Sequence, residues 1–148
     1  LGITVVVGIT PDNNYDLVFY ESQNGVSIFL DSIIIGISNS ADGNNHYYEV
    51  FNWGNGTPDQ NSNANVNNLP ADPNCPSNTE CDNREIPVAN LYPTPGTGIL
   101  IDVDSASSNP PPGTYDSVWI ISPIGGSSQA AQVDSVQAVE VPIPTPTP

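Results

Sequence analysis

FNWGNGTPDQNSNAN (residues 51–65) and, beyond a short cysteine loop, GILIDVD (residues 98–104) decide how this chain is read. An aromatic strand end, Phe51-Asn52-Trp53, runs into a long insertion of Asn, Asp, Ser and Pro. An apolar strand resumes only at Gly98. A polar insertion between two apolar strands keeps one shape when something ties it down: a disulfide, a bound cation or a partner surface.

On both sides of the insertion the chain is written in short β-branched and aromatic runs. Residues 2–9, 16–21, 26–30, 33–37 and 46–53 precede it, and residues 86–91, 99–103, 115–122 and 133–141 follow. Gly, Pro and Asn punctuate them, with Asn24-Gly25 as a tight-turn signal because both residues tolerate positive φ. Residues 33–37 (IIIGI) are apolar throughout, which predicts a strand inside a sheet or under another chain. No 3.6-residue periodicity with capping signals persists. The expected fold is therefore all-β: a single β-sandwich or jelly roll of about eight or nine strands with a long polar loop insertion. The domain is expected to span residues 1–141. Residues 142–148 (PIPTPTP) form a Thr/Pro tail or linker that cannot enter a sheet interior.

A chain of 148 residues is large enough for one proper core. Its net charge is −15 although only 11% of residues are charged, because Arg84 is the only cationic residue besides the lone His46. Such a surface repels phosphates and anionic lipid headgroups, so nucleic acid and membranes are poor partners, and it attracts divalent cations. No apolar run reaches membrane-spanning length. The chain starts at Leu1 and contains no methionine, which reads as a processed product or a fragment. Surface polarity carried by amides and hydroxyls suits a secreted protein, and a salt-adapted origin also produces an acidic, lysine-free chain. Cys75 and Cys81 read as one disulfide, worth about 2 kcal/mol for so short a loop. That bond points outside the cytoplasm. A zinc site is the rival reading, and the ligand spacing does not favour it.

Residues 16–21 (DLVFYE), 33–38, 47–54 and 59–63, with residues 98–104, Pro112-Gly113-Thr114-Tyr115 and Ser122-Pro123 later, resemble a galactose-binding-like (discoidin-like) jelly-roll domain of bacterial cell-surface proteins. The likeness covers most of the chain through short motifs. It implies calcium or glycan binding at loops and transfers no ligand residue.

Asp59-x-Asn61-x-Asn63 carries the alternating oxygen ligands of a calcium loop's first half. It departs from the EF-hand at Ala64, in place of the turn glycine, and at Pro70, in place of the bidentate Glu. Asp82, Asp102 or Asp104 would then close the shell. Asp102 and Asp104 fall on one side of the expected strand, where mutual repulsion favours a cation between them. The plainer reading makes these residues turn formers in a solvated loop. Tyr15, Tyr20, Tyr47, Tyr48, Trp53, Tyr92 and Trp119 include candidates for sugar stacking beside amides, although most aromatics belong to a core. His46, with Ser40 and Asp42 nearby in sequence, makes no triad, and no enzyme activity is expected. Asn55-Gly56-Thr57 is an N-glycosylation sequon, and Thr145 and Thr147 are candidate O-glycosylation sites.

Residues 2–9 form a β-branched N-terminal strand set apart by Pro11, suited to completing the sheet of a neighbouring subunit, or else to pairing within its own domain. These features together predict an extracellular, non-enzymatic structural or adhesive module of a microbial cell surface. It would be a self-assembling, pilus-like filament subunit, with other copies of itself or cell-surface components as partners. The alternative is a calcium-assisted carbohydrate-binding module of a larger surface protein.

Overall fold

A computed structural model describes residues 3–39, 46–54, 61–67, 69, 80–122 and 131–144. The chain is all-β, as its punctuation predicts. In order the strands are β1 (Val5–Val7), β2 (Asn14–Glu21), β3 (Gln23–Asn24), β4 (Ser27–Leu30), β5 (Ile33–Ser38), β6 (Tyr48–Trp53), β7 (Arg84–Pro87), β8 (Gly98–Ile101), β9 (Gly113–Tyr115), β10 (Ser117–Ile121) and β11 (Val133–Pro142). All pairings are antiparallel. They form the sheets β11-β2-β8, β10-β5-β6, β3-β4-β7 and the pair β1-β9.

The period of two along each strand selects what is buried. Leu17 and Phe19 of β2 and Ile99 and Ile101 of β8 meet Ile33, Ile35 and Ile37 of β5 and Phe51 and Trp53 of β6 in one core. This is sandwich packing, and each such side chain contributes about 1.5–3 kcal/mol by leaving water. β5 takes the central place that its unbroken apolar run predicts. Its outer face has one unusual position. A Cβ on Gly36 would lie 2.3 Å from the Tyr47 ring, so only glycine lets that ring lie down on the strand. Tyr47 in turn stacks on Trp119 of β10, with centroids 6.0 Å apart.

Several element ends depart from expectation for identifiable reasons. The two-residue loop between β3 and β4 is Gly25-Val26, one residue later than the Asn24-Gly25 signal. Gly25 holds φ at +65°, as the first central residue of a type II′ turn requires. Pro87 has no N–H to extend its ladder, so the expected strand over residues 86–91 stops there and turns into a 3-10 segment, Val88–Asn90. The run over residues 115–122 breaks at Asp116, where the chain leaves β1 and joins β5. β11 runs one residue past the expected domain end. Pro142 sits on a strand at the edge of its sheet, where a missing donor costs nothing, and the Ile143 N–H still reaches Asn13 O at 2.8 Å.

Candidate functional site

The insertion returns to the body at Asn61, and its alternating amides explain the return. β6 ends one large sheet and β8 ends the other, so both would present unpaired backbone on the same side of the sandwich. Residues 61–67 lie along that seam. The Asn61 side chain accepts from Asn52 N–H at 2.9 Å and donates to Asn52 O at 2.8 Å and to Glu80 Oε1. Asn63 Nδ2 donates to both Val50 O (2.9 Å) and Asp102 O (2.8 Å), joining β6 to the segment after β8. Asn65 accepts from Leu100 N–H through Oδ1 and donates its own N–H to Leu100 O. Ala64 bridges Ile101 between them. The spacing read as cation ligands thus works as side-chain imitation of a missing strand, with the amides of Asn61 and Asn63 buried.

The expected ligand set separates into distinct places. Asp59 lies outside the described residues, and Asn61 and Asn63 belong to the seam. Asp82 Oδ1 accepts from Ser32 N–H at 2.8 Å, at the corner between β4 and β5. Asp102 and Asp104 lie beyond the end of β8 and not on a strand: Asp102 N–H goes to Asn63 O, and the next donors go to side chains. Asp102 Oδ1 accepts from Ser105 N–H at 3.1 Å, and Asp16 Oδ2 takes Val103 N–H at 2.8 Å. Asp104 reaches across to Gly8 N–H (2.9 Å) and Asp12 N–H (3.4 Å), tying the segment after β1 to the segment after β8. Four carboxylates, Asp12, Asp16, Asp102 and Asp104, share this region. Burial first, then repulsion from its three neighbours, pushes the Asp16 pKa up to about 7 against the pull of the Val103 N–H. Burial also raises Asp102, with Asp104 and Asp12 adding to the shift. Among the described residues, no three His, Cys, Asp or Glu side chains are arranged to hold a metal ion.

A second acidic place was missed by sequence reasoning. Glu21 ends β2 on the inward side shared by Leu17 and Phe19, and is 1% exposed. Asp31, between β4 and β5, is 2% exposed. Glu21 Oε1 accepts from Ser22 N–H, while Glu21 Oε2 and Asp31 Oδ1 are buried without a hydrogen-bond partner. Asp31 lines a cavity of about 250 Å3 with Ser22, Asn24, Phe29, Asn83 and Gln132. Burial, with Asp31 as the leading repulsive charge, pushes the Glu21 pKa up to about 7. Asp31 is raised by burial and by Asp82. The missed signal was the parity of Leu17-Phe19-Glu21, which turns an acid inward.

Among the aromatics, Tyr47, just before β6, and Tyr48, its first residue, meet different partners. Tyr47 meets Trp119, while Tyr48 packs edge-on against Tyr115 and His46. Trp53 is core, its Nε1 donating to Cys81 O at 2.9 Å and Arg84 lying 5.9 Å over its ring. Trp119 is 37% exposed. Cys81 is not a free thiol. Cys75, Ser40, Asp42, Asn55, Thr145 and Thr147 lie outside the described residues. Among the described residues no helix is long and apolar enough to cross a membrane.

A second cavity, of about 310 Å3, opens between the two chain ends. Thr4, Val5 and Val6 of the first segment line one side, and Ala138, Val139 and Glu140 of β11 the other. Val5 and Val7 are buried in the chain's own core and β1 pairs with β9, whereas Val6 is 60% exposed and Ile9 92% exposed.

The fold and its sites define an all-β sandwich closed along one seam by asparagine side chains. No family model, curated protein or solved structure matches the chain.

Proposed function

We propose that this chain is an extracellular, non-enzymatic structural or adhesive module of a microbial cell surface that assembles with other copies of itself. One observation carries the reading. β1 and β11 each end a sheet, and they flank one groove lined by the exposed Val6, while Ile9, just beyond β1, is exposed as well. Main-chain donors and acceptors at a strand edge, next to apolar side chains, are what β-strand addition uses. The first strand is held at home by only three residue pairs with β9. In the assembled form the segment around β1 is exchanged between subunits, or a neighbour's strand is added beside it. In this reading Cys75 and Cys81 form the disulfide of an extracellular protein, and the Thr/Pro tail is a spacer. The resemblance to discoidin-like surface domains supports the compartment.

The test is light scattering and negative-stain microscopy of the full chain beside a Val6→Lys/Ile9→Lys variant. Both side chains lie outside the core, so the variant keeps its fold. The intact chain is expected to give oligomers or fibres and the variant monomers. A monomeric intact chain at high concentration would refute assembly.

The stacked pair of half-buried Tyr47 and exposed Trp119 favours a second reading, a calcium-assisted carbohydrate-binding module. A pyranose face stacks on such a platform. Glycan binding by a monomeric chain, lost in Trp119→Ala, selects that reading over assembly.

A further inference from the structure

The outer face of the sheet β10-β5-β6 carries chemistry that the core does not use. Ile33, Ile35 and Ile37 of β5 and Phe51 and Trp53 of β6 are core residues, so strand alternation turns Ile34, Gly36 and Asn52 outward, with Trp119 and Ile121 of β10 beside them. Gly36 stands opposite Trp119 in one register and opposite Glu49 in the other. Cross-strand partners share a face, so Trp119, Gly36 and Glu49 make one row across the sheet, two strand spacings or about 9.5 Å long.

An aromatic ring fills the middle of that row. Tyr47 covers Gly36 so closely that a Cβ there would sit 2.3 Å from its Cδ2 and 2.9 Å from its Cγ. The Trp119 ring runs nearly parallel to it, with 23° between planes and centroids 6.0 Å apart, an offset arrangement in which Trp119 stays 37% exposed. At the far end of the row, half-buried Glu49 accepts through Oε1 from Asn52 Nδ2, which fixes its carboxylate.

Two aromatic faces and a held acceptor match a pyranose. Its C–H face rests on a ring, and its hydroxyls donate to a carboxylate in charge-assisted hydrogen bonds. Charge then selects among sugars. Glu49 is the one acid among the strand residues of this sheet and none is basic, while Arg84 lies over Trp53 and His46 against Tyr48. With a net charge of −15 behind it, this face repels uronic and sulfated sugars and admits neutral ones. A second copy of the chain would bring the same excess charge to the face, whereas neutral hydroxyls satisfy Glu49. One carboxylate supplies few of the six to eight oxygens that calcium takes, so recognition here runs through the hydroxyls directly.

We propose that the Trp119–Tyr47–Glu49 row is a binding site for neutral glycans, in which sugar rings stack on the two aromatics and donate hydroxyls to Glu49 without a cation. This rests on the carbohydrate reading of the Tyr47–Trp119 pair and adds to it the ligand's charge, the acceptor and independence from calcium. The site shares no residue with the groove between β1 and β11.

The test is calorimetric titration of the full chain, in chelator, with neutral hexasaccharides of glucose, galactose and mannose and with hexagalacturonate. At least one neutral hexasaccharide is expected to bind, and hexagalacturonate at least about tenfold more weakly. Glu49→Gln keeps an oxygen for Asn52 Nδ2, and should weaken the neutral sugar about fivefold or more and narrow the gap to hexagalacturonate. Trp119→Ala should abolish binding and Trp119→Phe, which keeps an aromatic face, should retain it. Absence of binding by every neutral hexasaccharide, or binding that Trp119→Ala keeps, would overturn the proposal together with the carbohydrate reading of this pair. Binding that is lost in Trp119→Ala but needs calcium, is as strong for hexagalacturonate, or is unchanged in Glu49→Gln would overturn the proposal and leave that reading standing.

Discussion

At the scale of single residues, the asparagines of the seam show how one side-chain type can serve two chemistries. An amide carries a donor and an acceptor at nearly the spacing of a peptide group. Asn61 therefore pairs with both the N–H and the C=O of Asn52, as a strand residue would. Replacing it with Ala leaves those two buried groups without partners. Asn61→Ala is expected to cost about 2–4 kcal/mol, read as a lower denaturant midpoint with an unchanged slope. Asn61→Asp, nearly the same shape, should cost at least as much. It loses the donors to Asn52 O and Glu80 and places a second carboxylate against Glu80. If Asn61→Asp proved neutral, the Asn61 amide would not pair with the β6 edge as described.

Among elements, β5 carries the heaviest packing requirement. Its inner side chains Ile33, Ile35 and Ile37 are fully buried, and its outer face depends on Gly36 admitting Tyr47. Trp119 stands opposite Gly36 in the β10 register, so the Tyr47–Trp119 stack roofs the glycine. A methyl group at residue 36 must displace the Tyr47 ring and open that stack. Gly36→Ala is expected to destabilise by about 1–3 kcal/mol, with a red shift and loss of structure in tryptophan emission. A stability gain, the usual result of Gly→Ala in a strand, would mean that Tyr47 can move away freely. The other element of consequence is β11. Its bulges between Val133 and Ser135 and between Ala138 and Val141, with Pro142 at its end, shape the edge it offers.

For the whole molecule, the excess of acid governs the response to pH. Asp16 and Glu21 each hold a proton up to about pH 7 in the folded chain, against ordinary values of 3.8 and 4.5. Between those values and 7 the unfolded chain has released protons that the folded chain keeps. Folding thus takes up protons there, and stability falls as pH rises. Asp31 and Asp102 are shifted in the same direction, and repulsion within a chain of net charge −15 adds to the trend. In chelator, the melting temperature is expected to fall between pH 4.5 and pH 7 and to level off above about pH 7.5. A melting temperature that climbed through this window would show that these carboxylates are stabilised as anions in the folded state.

The fold class was legible in the chain because burial on a sheet imposes a period of two, and turns demand Gly, Pro and Asn. Residues 33–37 announced a central strand by their composition alone. Net charge and the near absence of cations were equally plain, and with them the want of counter-charge for any acid that folding buries. Side-chain assignments within the insertion were not legible, because an Asn–x–Asn alternation satisfies a cation and a bare strand edge equally well. Only the tertiary structure brings the edges of β6 and β8 to the same side, and that juxtaposition gives Asn61, Asn63 and Asn65 their partners. The same holds for Glu21 and Asp31. Each is an ordinary surface-type residue in the sequence, and the packing of β2 against the β4–β5 corner places their carboxylates out of reach of water.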